Sequence, residues 1–443
     1  MRLIYSLISL CLFFPASILF ASDDVQVYDH IATIDHLMER AISNNLIAGG
    51  VVVIGDHTGI LSSTARGRFT ANPDAPLLDE QTIFDLASLT KVIATTPAVM
   101  KLLDEGQISL SDPLSRWFPE FKGSERESIT ILNLLTHTSG LADFDMSTEQ
   151  AMETAVRRAA AEKGQQWGSG FKYADINFIL LGELVHRVSG KTLDAFCRDE
   201  LYVPLVVPET MFLPTPALAN RIAPTLGGTS GTVQDRNSRR LGSVAGHAGL
   251  FSSAQDLARF ARLMLDGGAI DGRRILSEQA VKQMTSPLLC GNGTVVRGLG
   301  WDMNSPFSSP KGRLFSEASF GHTGYSGSSI WIDPKQDLFV ILLTTRLNYQ
   351  DIRQFNQLRS DISTIAVAEF RQPDARQMLT ALPEITRVTA RLHHRPGHRG
   401  IRTASHRIRM VAALSEAHSR THRQYGRKSG KHRHKSHGLT HRA

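Results

Sequence analysis

The strongest extended patterns in this chain lie at its two ends. Val51-Val52-Val53-Ile54 is short, apolar and β-branched. A turn at Asp56-His57-Thr58-Gly59 and a second extended run from Ile60 follow it, which reads as a hairpin. Almost 270 residues later, Ser328 to Asp333 and Leu338 to Thr345 repeat the pattern around the turn Asp333-Pro334-Lys335-Gln336-Asp337. The intervening segments have helical periodicity: Leu89 to Glu105 before Gly106, Ile131 to Leu135, Asn177 to Val188 before Gly190, and Ala254 to Leu265 before Gly267-Gly268. Ser252 with Gln255 three residues on predicts a capping box for the last of these. Helices over Ile31 to Asn45 and about Gln357 to Phe370 bracket the whole. Such an order implies an α+β fold. Its antiparallel sheet draws on both chain ends, about residues 22–86 and 295–372, with a mainly helical lobe, about 87–294, inserted between them.

Outside that body, the termini carry other signals. Arg2 followed by the apolar run Leu3 to Phe20 and the small pair Ala21-Ser22 reads as a secretory signal peptide over residues 1–21, or else as an uncleaved membrane anchor. Either reading exports the body to the periplasm or beyond. Cys11 follows Leu10 rather than a small residue and is not read as lipidated. Cys197 and Cys290 are two thiols that an oxidising compartment would allow to pair or leave free. The net charge of +7 is unevenly placed: from Arg387 onward 15 basic residues face the single acid Glu416, so residues 1–386 carry −7. Residues 373–443 therefore read as a basic, His-rich tail without the apolar periodicity to fold alone. For an exported chain the expected contact of that tail is an anionic envelope polymer or membrane surface, not nucleic acid.

The chemistry-bearing residues begin with Ser88-Leu89-Thr90-Lys91. Three residues set a serine hydroxyl and a lysine amine one helical turn apart on one face. The helix that follows is apolar nearly all round, with Leu89, Val92, Ile93, Ala94, Ala98, Val99, Leu102 and Leu103. A lysine in a buried helix requires a reason. Tyr173-Ala174-Asp175 comes 85 residues after Ser88, and His322-Thr323-Gly324 comes 149 residues after that.

Together these three elements resemble the serine β-lactamase-like superfamily, which includes class C β-lactamases, serine D-alanyl-D-alanine carboxypeptidases and related esterases. The resemblance spans about Asp29 to Phe370, including Leu134 to Leu141, Asn177 to Gly182, Gly246 to Ser252 and His322 to Pro334. It implies that Ser88 is the acylated nucleophile, that Lys91 and Tyr173 move its proton, and that His322 and Thr323 line the cleft on the sheet edge. It also implies an oxyanion hole from the backbone N–H groups of Ser88 and Tyr325, with Gly324 allowing close backbone approach. In one place the chain departs from the pattern. Asp175 stands where the family usually has Asn, so it accepts where Asn would donate, and it is able to pair with Lys91 and make the lysine a poorer base. His247 is a candidate cleft residue, His137 a structural one, and Asp235 and Asn237 resemble cleft-loop residues of the family.

The resulting expectation is an exported serine hydrolase working through an acyl-enzyme on D-alanyl peptides, with penicillin as a substrate mimic. Alternatives are an esterase of small acyl esters and an idle wall-peptide binder. None of these readings calls for a cofactor or a metal.

Overall fold

A computed structural model describes residues 30–146, 149–163, 170–225, 227–290 and 293–371. The signal segment 1–21 and the basic tail 373–443 lie outside the described residues.

Eight antiparallel strands form the main sheet. Across it they run Gly59–Gly67, Ile47–Asp56, Leu338–Arg346, Ser329–Asp333, Phe320–Thr323, Asp302–Asn304, Val295–Arg297 and Leu288–Cys290. The first strand of the chain pairs with the last, Val52 opposite Leu342 and Ile54 opposite Val340. The continuous apolar run of Ile47–Asp56 follows from burial on both faces. Val51 and Val53 enter the core shared with the helical lobe, while Val52 and Ile54 enter a second core on the opposite face. That second core is closed by the helices His30–Ser43 and Ile352–Phe370, which pack on each other and on the sheet. Helix Ala254–Leu265 covers the other face.

Several boundaries differ from the sequence expectation, each for a local reason. The segment expected as one helix from Leu89 is a 3₁₀ turn at Ala87–Leu89, a π turn at Lys91–Thr95 and an α-helix at Thr96–Asp104. Pro97 has no N–H to offer Ile93, so an α-turn is not available there. The Ile93 carbonyl accepts from the Tyr202 hydroxyl instead (3.3 Å). The cap of helix Ala254–Leu265 is Ser253, which accepts from Asp256 N–H. Ser252 is held one residue earlier in a strand, opposite Phe84 and hydrogen-bonded to Thr210. The last helix starts at Ile352 rather than near Gln357, because Asp351 caps it through Gln354 N–H while its first turn is exposed. Helix Asp175–Ser189 ends at Gly190 with φ of 72°, as its glycine predicts. Cys197 and Cys290 are buried and unpaired. Among the described residues no helix is long and apolar enough to cross a membrane.

Candidate active site

Strand Ile83–Asp85 delivers Ser88 to the junction of sheet and helical lobe. It pairs with Leu250–Ser253, and the register is carried one step further by Leu86 N–H to Leu250 O (2.9 Å). Thr90 ties the next turn down, donating to Ala87 O (2.7 Å) and accepting from Leu250 N–H (3.1 Å). From the sheet side, the hydroxyls of Ser326 and Ser328 donate to the carbonyls of Asp85 and Leu86.

Lys91 is wholly buried behind Ser88. Its ammonium donates to Ser88 Oγ (3.0 Å) and to the His247 carbonyl (3.2 Å). It also lies 2.7 Å from Asp175 Oδ1, an ion pair whose geometry is not that of a directed hydrogen bond. Burial alone would pull the Lys91 pKa down, but the Asp175 charge and the neighbouring Tyr173 outweigh it and hold the ammonium above its ordinary value. The Asp175 carboxyl is correspondingly below its ordinary range: burial raises it, and the charges of Lys91 and His247 more than reverse that. The pairing that Asp175 makes available in the sequence is therefore present.

Tyr173 stands at the mouth, its ring 5.1 Å from the Lys91 nitrogen. Burial raises its phenol pKa, against the opposing pull of Lys91 and Ser88. Its ring stacks on His137, with centroids 4.4 Å apart. His137 also accepts the Ala174 N–H on Nδ1 (3.2 Å), which assigns its proton to Nε2 and fixes the backbone beside Tyr173. His137 is thus structural, and what it supports is the tyrosine.

One cleft of about 190 Å³ is lined by Ser88, Tyr173, His322, Thr323, Gly324 and Tyr325. His322 Nδ1 faces the Thr323 carbonyl (2.9 Å), so this nitrogen carries the proton and Nε2 is the acceptor. Burial, then the charges of Lys91 and Arg297, push its pKa well below the ordinary value and keep the ring neutral. Gly324 lies just past strand Phe320–Thr323, and its close approach is to another part of this chain. A Cβ there would lie 2.3 Å from the Leu86 carbonyl oxygen and 2.1 Å from Ser328 Oγ. The backbone that this glycine lets approach is the turn leading to Ser88, while Gly324 itself lines the cleft.

His247 borders the lysine rather than the cleft. Buried, it gives its carbonyl to Lys91 and its Nε2 to Asp235 (2.9 Å). Asp235 also accepts Ser238 N–H (2.6 Å), and these contacts overcome burial to lower its carboxyl to about 2. Ligating atoms of Asp175, Asp235 and His247 lie within 4.8 Å of one another. The Lys91 ammonium, in contact with Asp175, is the cation beside that cluster. Asn237 instead fastens the neighbouring loop, bonding Met146 N–H and the Phe144 carbonyl.

Three cleft arginines lie outside every motif that the sequence displays. Arg297 pairs with Asp302 (3.2 Å). Arg359 donates to the carbonyls of Gly324 (2.8 Å) and Ser328 (2.7 Å), and burial together with Arg346 brings its pKa down to about 9. Arg346 donates to the Tyr325 carbonyl and has a buried Nη2 without a partner. Neither Arg346 nor Arg359 has a carboxylate within ion-pairing distance among the described residues. A signal for Arg359 is present in the sequence: it falls on the apolar stripe of its helix with Phe355, Ile362 and Ala366, a charge at a core position.

The sequence pattern of the Beta-lactamase family matches residues 31–360. The chain belongs to the Beta-lactamase family. It is a serine hydrolase of that family, 29% identical over 360 residues to an N-acetylmuramyl-L-alanine amidase of Bacillus subtilis (strain 168), covering 71% of this chain and 80% of the relative. It is 30% identical over 305 residues to a candidate D-alanyl-D-alanine carboxypeptidase of Escherichia coli (strain K12), covering 60% and 69%. Among solved structures, a penicillin-binding protein homologue from Caulobacter crescentus superposes with a TM-score of 0.65 at 20% identity, over 77% of this chain and 98% of that one, a likeness of fold.

Proposed function

We propose that this member of the Beta-lactamase family is an exported D-alanyl-D-alanine carboxypeptidase acting through an acyl-enzyme on Ser88. The observation that carries the choice of substrate is the positive end of the cleft. Arg346 and Arg359 are buried guanidinium groups that line the same cleft as Ser88 without an acidic partner among the described residues, and a buried charge of this kind is costly until an anion meets it. A peptide ending in D-alanine brings a free carboxylate on its leaving group, whereas a simple ester brings none. The candidate carboxypeptidase from Escherichia coli supports the same reading.

The proposed chemistry follows from the charge on Lys91. Held as an ammonium, it donates to Ser88 Oγ and lowers the cost of negative charge there. The Ser88 proton passes to the phenolate form of Tyr173, a minor form because burial raises that phenol and one that the Lys91 charge favours, and Ser88 Oγ bonds to the peptide carbonyl carbon. The backbone N–H groups of Ser88 and Tyr325 receive the oxyanion. Tyr173 returns the proton to the departing amine as the C–N bond breaks, and water then releases the acyl group by the same path reversed. His322 and Thr323 line the substrate side. The segment 1–21 carries the export, and the tail 373–443 contacts anionic envelope polymers.

The test is release of D-alanine from a D-alanyl-D-alanine pentapeptide by the purified protein beside Ser88→Ala, with fluorescent penicillin as the covalent probe. D-alanine release and labelling that both vanish in S88A are expected. Release of L-alanine from N-acetylmuramyl-L-alanine without action on the pentapeptide would replace this reading with that of an amidase. Labelling that persists in S88A would remove Ser88 as the nucleophile.

A further inference from the structure

Two segments far apart in sequence build the catalytic centre proposed above. The turn after Ile83–Asp85 carries Ser88, while residues 234–247 hold Lys91 from behind through the His247 carbonyl. Between them lies one buried carboxylate that neither the cleft nor the proton path uses. Asp85 is 3% exposed. Its Oδ1 accepts the Ala87 N–H (2.8 Å) and its Oδ2 accepts the Gln234 N–H (2.6 Å). Ala87, the residue before the nucleophile, has φ of 46°, in the left-handed region that strains any residue with a Cβ. Gln234 is followed by Asp235, whose carboxylate holds His247.

We propose that Asp85 is a positioning residue for Ser88 and Lys91, its two carboxylate oxygens clamping the left-handed turn of the nucleophile to the segment that supports the lysine. The inference rests on the Ser88 acyl-enzyme reading for its kinetic consequence but not for the clamp itself. An ionised carboxylate meets both demands best, since each oxygen accepts an N–H and a proton on either would weaken it as an acceptor. An asparagine of the same shape has one accepting oxygen and one donating nitrogen, so one of the two N–H groups loses its partner. The clamp also gives activity an acid limit. Burial raises the Asp85 pKa to about 6, with the Asp235 charge adding to it and the two N–H groups and Arg239 opposing it. The Asp85 charge is felt at Tyr349, and Ser326 bonds the Asp85 carbonyl. Above pH 6 both bonds stand. Below it a proton occupies one oxygen and the bond to that oxygen is weakened.

The experiment compares the full chain with Asp85→Asn, Asp85→Asn/Ala87→Gly and Ser88→Ala in two measurements. The first is amide hydrogen exchange of the segments holding Ala87 and Gln234, which needs no activity. Lower protection at both sites, as the rate relative to the intrinsic rate at the same pH, is expected in D85N and in the wild type on acidification through pH 6. Unchanged protection at either site overturns the clamp. The second is the rate of acylation by fluorescent penicillin against pH. D85N is expected to lose about 100-fold, the scale of a misplaced catalytic group, with KM for the pentapeptide little altered and the acid limb gone. Glycine at position 87 relieves the left-handed turn and is expected to restore part of that rate, which a loss of general stability would not do. Wild-type rate in D85N, or an acid limb that persists in it, overturns the positioning role. Labelling that survives in S88A refutes the nucleophile reading and leaves the exchange measurement to judge the clamp. If D85N does not fold, the wild-type exchange and pH profile decide alone.

Discussion

A lysine 2.7 Å from a carboxylate and a serine 3.0 Å from that lysine set the chemistry of this cleft. With Asp175 in place the lysine holds its proton, so the burden of accepting one falls on Tyr173. Replacing Asp175 with Asn removes the largest influence that raises the Lys91 pKa and leaves only Tyr173 to oppose burial, which lowers it. Asp175→Asn is therefore expected to displace the rise of the acylation rate to lower pH, with about a tenfold gain near neutrality for every pH unit by which the profile moves. Beyond burial, the Asp175 charge raises the Tyr173 phenol as well, so both groups shift the same way. The pH profile of penicillin labelling checks this, and a profile that does not move would mean that Asp175 does not set the protonation of the Lys91 and Tyr173 pair. The lysine is legible in the sequence as a charge in an apolar helix, and the serine and tyrosine through the motifs that carry the resemblance. Arg346 is not, because it ends a strand, where a basic residue needs no special account. Asp85 is hidden as well: an aspartate before a turn looks ordinary until the backbone N–H from position 234 arrives on it.

Helix termini carry the site, and their boundaries are the least legible part of the fold. The helix after Ser88 reads as one continuous run. Pro97 instead opens it into a π turn, and that turn holds Lys91. Asp351 is inconspicuous as a cap because the apolar periodicity starts a full turn later, at Phe355. A second constraint is a contact between backbones. A Cβ on Gly246 would lie 1.9 Å from the Phe178 carbonyl oxygen and 2.9 Å from Gly182 N, so helix Asp175–Ser189 and the turn before His247 meet without a side chain between them. Gly246→Ala is expected to cost about 1–3 kcal/mol in urea unfolding, the usual cost of overpacking. It should also slow acylation, because the carbonyl that holds Lys91 belongs to the next residue. Wild-type stability and rate in G246A would show that the helix and the turn separate freely.

For the molecule as a whole, the order of strands decides what can be removed. The sheet cannot close until residues near 340 return to pair with residues near 50, a topology legible in the two distant strand patterns of the sequence because both runs are apolar on both faces. Helix Ile352–Phe370 then covers one face with Phe355, Leu358, Ile362 and Ile365. Burying such side chains is worth about 1.5–3 kcal/mol each, or roughly 6–12 kcal/mol for the four. That is comparable to the net stability of about 5–15 kcal/mol available to a folded domain. A chain cut after Gln350 is therefore expected not to fold, and it would also lack Arg359, one of the two unpaired charges of the cleft. A chain cut after Arg371 keeps every contact described here and is expected to melt with the full-length protein and to match it in penicillin labelling. What it should lose is the attraction of 15 basic residues for anionic surfaces. Sedimentation with vesicles rich in anionic lipid checks the separation. The full chain should bind at low salt and release as ionic strength rises, and the shortened chain should stay in solution throughout. Equal binding by both would place the attraction in the folded body, whose described surface would then have to supply a basic face of its own.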